Sequence, residues 1–161
     1  MERIWSPWRM EYIRAARDEE EGCIFCDLPT RGDDTAARIL ARRPHAFAML
    51  NTYPYNPGHL MVAPFRHTGE LEELSDDELL DIDRLLQASV RALREEMEPQ
   101  GFNVGMNLGR VAGAGIPDHL HWHVVPRWGG DTNFMPVVGE TRVLPELLEE
   151  TYARLAPRFA R

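Results

Sequence analysis

The chain has little cysteine: two residues in 161, both inside Cys23-Ile24-Phe25-Cys26. A disulfide-stapled secreted fold needs several pairs and is not indicated. The motif itself stays open between a metal pair, a redox pair and two reduced thiols packed as small hydrophobes. Long apolar runs are also absent. No stretch reaches the roughly 18 apolar residues of a membrane-spanning helix, and the opening MERIWSPWRMEYIRAARDEEEG lacks the apolar segment of a signal peptide. The expectation is a cytoplasmic protein with no membrane partner. Clustered basic charge is missing as well. The net charge is −8 and the pI about 5.2, which argues against a surface that coats nucleic acid by neutralising its phosphates. Any phosphate must then be held locally, by backbone N–H groups, histidines and a few arginines. The acidic runs at 18–21, 70–83 and 146–150 read as solvated helix faces or linkers. The chain shows no internal repeat and no low-complexity segment.

What is present is the composition of an ordinary globular chain, 43% hydrophobic and 27% charged, of a length that fits a single domain over 1–161. Residues 1–35 read as an arm carrying the CxxC motif, and 36–161 as the body. Strand candidates fall at 37–41, 46–50, 59–64, 102–108 and 120–126. Tyr53-Pro54-Tyr55-Asn56-Pro57-Gly58 is a turn, because two prolines fix φ while Asn and Gly accept unusual angles. The best helix spans 76–97. Ser75 and Glu78 make a capping-box pattern, Leu79, Ile82, Leu86, Val90, Leu93 and Met97 form one apolar stripe, and Pro99 and Gly101 stop it. A second helix is expected at 144–155. Successive strands around one long helix predict an α+β domain with a largely antiparallel sheet of about five strands and a C-terminal helix.

Three of the six histidines stand at 119, 121 and 123. In a strand, alternate side chains share a face, which sets successive imidazoles ~6–7 Å apart and turns Leu120, Trp122 and Val124 to the other side. Core packing does not account for three imidazoles on one face. A neutral imidazole is a competent nucleophile toward phosphorus, since it is partly unprotonated at neutral pH and needs no strong base. The preceding loop, Arg110-Val111-Ala112-Gly113-Ala114-Gly115, is rich in small residues that let backbone approach a phosphate.

His119-Leu120-His121-Trp122-His123-Val124-Val125-Pro126 resembles the signature of the histidine triad (HIT) family, and Asn51…Pro57-Gly58-His59-Leu60-Met61-Val62 is similar to a motif the family carries upstream. The likeness covers residues 23–128. Trp5-Ser6-Pro7-Trp8-Arg9-Met10-Glu11-Tyr12, Gly101-Phe102-Asn103-Val104-Gly105 and Pro126-Arg127-Trp128-Gly129-Gly130-Asp131 resemble the bacterial diadenosine tetraphosphate phosphorylase branch. The resemblance implies a HIT-like fold over 36–161 and a homodimer. It makes His121 the nucleophile that forms a nucleotidyl-imidazole, and His123 a phosphate contact. His119 would orient the nucleophile or bind metal. Asn51, where the family usually has Asp, falls at the ribose contact. Asn107 would bind the reacting phosphate, with Gly113 and Gly115 in the phosphate loop, and His59 would buttress the triad. The apolar strands between Ile39 and Leu50 would help enclose the base. Many members carry Gln and Ser or Thr just before the triad. Here stands Gly115-Ile116-Pro117-Asp118, so leaving-group contacts would pass to backbone N–H groups or to Asp118.

In metal-containing members, and in the related galactose-1-phosphate uridylyltransferases, zinc ligands lie at corresponding places. The resemblance therefore implies a structural zinc held by Cys23, Cys26, His67 and His119, fastening the arm to the sheet. The implied activity is nucleotidyl transfer on adenosine polyphosphates, with diadenosine tetraphosphate cleaved by inorganic phosphate to ATP and ADP. Hydrolysis of polyphosphates or phosphoramidates, and a slow nucleotide sensor, are the alternatives. Trp5, Trp8 and Tyr12 could frame an adenine, but packing on the domain or a partner subunit is the preferred reading. Trp128 would stack on a base or gate the site, with core packing equally open. Arg9 and Arg127 could meet polyphosphate, with an ordinary surface role the preferred reading for each, and His45 needs no function.

Overall fold

The computed structural model describes residues 22–131 and 146–160. Trp5, Trp8, Arg9 and Tyr12 lie outside that range, as do 144–145 of the expected second helix. The first described element is a single helical turn, α1 (Ile24–Asp27), followed by a 3-10 turn at Leu28–Thr30. Five strands then build one antiparallel sheet: β1 (Ile39–Arg42), β2 (Ala46–Leu50), β3 (Leu60–Pro64), β4 (Gly101–Met106) and β5 (Trp122–Arg127), in the order β1-β2-β3-β5-β4. Between β3 and β4 runs the long helix α2 (Asp76–Met97), and α3 (Leu148–Phe159) closes the described chain. This is the expected α+β architecture, an antiparallel five-stranded sheet with one long helix and a C-terminal helix.

Both ends of α2 fall where the sequence puts them. The Ser75 hydroxyl accepts from the Glu78 N–H while the Glu78 carboxylate accepts from the Ser75 N–H, so two orphan donors of the first turn are satisfied together. The apolar stripe differs from expectation. Ile82, Leu85, Ser89, Ala92 and Leu93 are buried, whereas Leu79 is 40% exposed. Small residues occur at 89 and 92, so the stripe that faces the protein is rotated away from the bulkiest set. Asp81 on this face accepts from Arg43 Nε (2.6 Å) and from the His45 N–H (3.0 Å), which ties the β1–β2 turn to the helix. The second helix runs from Leu148 to Phe159 instead of ending at 155, and Glu96 on α2 grips it through Arg154 and Arg158.

Strand parity divides the interior into two sides. Ala46, Ala48, Leu50, Leu60, Val62 and Val124 face α2 and α3. Phe47, Met49, Met61 and Ala63 face the other way, where Phe25 of α1 and Ile39 join them. β1 begins at 39 rather than 37. Its register slips between Ile39 and Ala41, which puts Ile39 in the α1-side cluster and both Leu40 and Ala41 on the helix side. β4, at the sheet edge, ends at Met106, two residues short of the expected 108. No helix among the described residues is long and apolar enough to cross a membrane.

Candidate active site

The histidines occupy the approach to β5 rather than its middle. β5 was expected from 120, yet pairing begins at Val62↔Trp122. Although the register would set Pro64 opposite Leu120, the Leu120 N–H is bonded to the Thr68 carbonyl (2.7 Å) in the segment beyond β3. His119 and His121 thus precede the strand, next to the Leu120 bond to that segment, and His123 lies within the strand, opposite Met61 and Gly105.

Hydrogen bonds to main-chain atoms fix which ring nitrogens carry hydrogen. His121 Nδ1 lies 2.8 Å from the His119 carbonyl. A carbonyl only accepts, so Nδ1 is the donor and the neutral ring keeps its lone pair on Nε2. On the neighbouring side the Tyr55 N–H donates to His59 Nδ1 (3.0 Å). His59 then carries its hydrogen on Nε2 and donates to His123 Nδ1 (2.9 Å), which leaves neutral His123 with hydrogen on Nε2. Two imidazoles with centroids 5.1 Å apart, nearly perpendicular, are therefore set in complementary states, one with an in-plane lone pair and one a donor. Burial pushes His119 and His121 below the usual imidazole range, partly offset by their bonds to the Pro64 and His119 carbonyls.

Cys23, Cys26, His67 and His119 converge, with all four donor atoms within 4.8 Å of one another. His119 Nδ1 lies 3.2 Å from Cys23 Sγ, 3.5 Å from Cys26 Sγ and 3.3 Å from His67 Nδ1, and Cys26 Sγ lies 3.4 Å from His67 Nδ1. A tetrahedral zinc with bonds of about 2.0–2.3 Å has ligand–ligand edges of about 3.3–3.8 Å, so the donor set fits zinc in both chemistry and spacing. His119 Nε2 donates to the Pro64 carbonyl (2.9 Å), which aims the Nδ1 lone pair at the cluster. Without a cation, burial and then Cys23 push the Cys26 thiol up to about 11, so metal binding must displace protons. His119 consequently meets the cluster with its ring and His121 with its carbonyl.

Other expected site residues are placed as follows. Asn107 directly follows Met106, whose pairing with Trp122 is the last of the β4–β5 ladder. Its Nδ2 donates to the Gly113 carbonyl (3.3 Å) and so secures the small-residue loop, where Gly113 has φ +97°. Gly115 is half-buried in that loop, and Asp118 is exposed beside the triad. Asn51 Oδ1 accepts from the Tyr53 N–H (2.8 Å), and its Nδ2 is 3.4 Å from His59 Nδ1, so its amide braces the 51–59 turn. Trp128 is not brought to the triad within this chain. It lies five residues past His123, roughly 16 Å along the strand, with its indole N–H on the Met97 carbonyl (3.3 Å). Two participants had no part in the sequence expectation: the Tyr55 N–H and the Phe25 ring. Phe25 stood in plain view between the cysteines, but a main-chain donor such as Tyr55 leaves no side-chain signature.

The HIT domain family model matches residues 33–130. AP-4-A phosphorylase of Mycobacterium tuberculosis is 43% identical over 168 residues, spanning all of this chain and 86% of its own length. An adenosine 5'-monophosphoramidase of Schizosaccharomyces pombe is 34% identical over 105 residues, 65% of this chain and 74% of that one. Among solved structures, a Zn-bound histidine triad family protein from Mycobacterium smegmatis superposes with a TM-score of 0.67 at 25% identity, covering 86% of this chain and 94% of that one. With the family match spanning more than half of the residues and the full-length relative agreeing, the chain belongs to the histidine triad family.

Proposed function

We propose that this protein is a nucleotidyl-transferring enzyme acting on dinucleoside polyphosphates, and that its reaction is phosphorolysis of diadenosine tetraphosphate. His121 Nε2 attacks the α-phosphorus in line; the bond to the bridging oxygen breaks and ATP leaves. An oxygen of inorganic phosphate then attacks the adenylyl-histidine, the N–P bond breaks, and ADP leaves with the imidazole restored. His123, with hydrogen on Nε2, donates to a phosphate oxygen as charge builds there, and Asn107 with the Gly113–Gly115 loop lines the same side. Positioning and charge stabilisation supply most of the rate in such chemistry.

The observation that carries this reading is the His121 Nδ1–H bond to the His119 carbonyl, which commits one nitrogen and presents the lone pair of the other. The similarity to the M. tuberculosis AP-4-A phosphorylase supports the substrate class. Incubation with diadenosine tetraphosphate tests it: ATP plus ADP, formed only with phosphate present, is expected. AMP plus ATP without phosphate would replace phosphorolysis by hydrolysis. Tight binding with no product would reject catalysis. The S. pombe likeness favours a second reading, in which the same intermediate forms from an adenosine phosphoramidate and is split by water.

Cys23, Cys26, His67 and His119 would hold a structural zinc, whose chemistry is to cross-link α1 to the segment before β5. Metal analysis of the purified protein should find about one zinc per chain, in keeping with a single four-ligand site; an unchanged content in Cys23→Ser would overturn the assignment. The reading includes a homodimer formed at the β4 edge, which has no further strand beside it among the described residues and near which Val104 is 49% and Leu108 47% exposed; light scattering at the mass of one chain would reject it.

A further inference from the structure

Phe25 lies between the two cysteines on α1 and is 1% exposed. Its ring stacks on His121, with centroids 4.8 Å apart and 27° between planes, and tilts against His119 at 5.2 Å and 47°. Behind it are Ile39, Phe47, Met49 and Met61. The turn that carries it is tight, with the N–H groups of Cys26 and Asp27 both donating to the Cys23 carbonyl (2.8 and 2.9 Å). The two thiols on either side belong to the metal-type cluster.

The hydrogen bond at Nδ1 tolerates tens of degrees of misalignment, so by itself it leaves the His121 ring some rotation about Cβ–Cγ. Turning swings Nε2, the atom that must lie in line with phosphorus. A flat apolar ring against the imidazole face removes that freedom, and an aliphatic side chain of similar volume does not. We infer that Phe25 is a positioning residue for His121. It sets the plane of the imidazole, and the cysteine–histidine cluster on either side of it holds Phe25 in register. The inference rests on the assignment of His121 as nucleophile and adds the route by which the metal site reaches the reaction. Phe25 touches no reacting atom.

The test compares metal-loaded full-length wild type with Phe25→Leu, Cys26→Ser and the double variant. Phe25→Leu should keep its metal and lower kcat about 100-fold with KM within about twofold, as expected for a misaimed reactant rather than a lost binding contact. Cys26→Ser should lower kcat too, and the double variant should be no worse than the worse single one, because both act through one contact. NMR of the imidazole protons supplies a readout independent of turnover: the His121 signals, shifted by the Phe25 ring current, should move in Phe25→Leu and in Cys26→Ser. Chelation of the wild type replaces Cys26→Ser if that variant does not fold. Unchanged kcat, a loss confined to KM, multiplicative effects in the double variant, or His121 signals indifferent to metal loss would each overturn the inference. Wild type without turnover would instead defeat the functional reading, and the NMR comparison would still decide whether Phe25 orients His121.

Discussion

Along β2, β3 and β5, successive residues serve opposite faces of one sheet; both faces bury apolar clusters, and the α1 face adds the histidine row. Toward α2 and α3 the contacts are apolar and redundant: Leu50, Leu60, Val62, Val124, Leu93 and Leu155 are all fully buried and share neighbours. Toward α1 an apolar cluster of Phe25, Ile39, Phe47, Met49 and Met61 is joined by histidines whose tautomers and orientations depend on directional bonds, such as His121 to the His119 carbonyl and His59 to His123. Apolar burial is insensitive to direction and roughly proportional to area, whereas an imidazole is useful only in one tautomer and one orientation. Substitutions on the two faces should therefore separate activity from stability.

The largest effect belongs to the histidine face. His121→Ala should lower turnover by roughly four or more orders of magnitude, since removal of a covalent nucleophile leaves only binding and charge effects. Nucleotide binding should stay measurable and the metal content unchanged. Turnover near the wild-type rate would reject His121 as nucleophile; loss of folding would show that this face carries stability after all. Leu93→Ala is the reciprocal experiment. Leu93 is 0% exposed between α2 and the sheet, and its truncation should cost about 2–5 kcal/mol in urea unfolding while the folded protein keeps its kcat. A kcat that fell with stability would mean that the two faces are coupled through the strands.

A smaller effect, tied to pH, lies at the boundary between the faces. Arg66 binds Glu78 through Nε (2.9 Å) and Nη2 (3.1 Å), and the Glu78 carboxylate also closes the capping box of α2. Arg66, then the Ser75 groups, hold the Glu78 carboxyl down to about 2 against the cost of burial. Its folded pKa is below its unfolded value, so its contribution is complete above the ordinary glutamate range, about 4.3, and is lost as pH falls from there through about 2. Glu78→Gln should flatten the decline in melting temperature over that window. An acid profile identical to wild type would show that other carboxylates govern it.

The fold was legible wherever a local signal and the tertiary outcome agree. Helix α2 has both ends marked in sequence, by Ser75 with Glu78 and by Pro99 with Gly101, and β2 is an apolar run between turn signals. Leu79 misled because helical periodicity locates a stripe but not which of two overlapping stripes meets the sheet. The start of β5 was hidden because the Leu120 N–H takes the Thr68 carbonyl beyond β3, a partner far away in the chain and not a property of residues 119–121. At the site, period-two histidines were visible as a row. Their division of labour was not, because it is set by the carbonyls of His119 and Pro64 and the N–H of Tyr55, atoms every residue has. The convergence of Cys23, Cys26, His67 and His119 spans 96 positions and was reached through family resemblance alone.

The helix face has one flaw, and it offers the smallest test. Ser89 is 0% exposed on α2, and its hydroxyl is the sole buried side-chain polar atom without a hydrogen-bond partner among the described residues. An unsatisfied buried hydroxyl costs about 1–3 kcal/mol relative to one that is paired, and serine is also a poorer helix former than alanine by roughly 0.5 kcal/mol. Against this, alanine leaves a gap the size of one oxygen and forfeits its dispersion contacts. The first two terms outweigh the third, so Ser89→Ala should raise stability by about 1 kcal/mol, a melting shift of roughly 2–4 °C for a chain of this size, with kcat unchanged. Destabilisation would mean that the hydroxyl is satisfied in solution, by a buried water or by the carbonyl one turn back. The helix face would then depend on a directional bond as the histidine face does, and the contrast between them would narrow to one of degree.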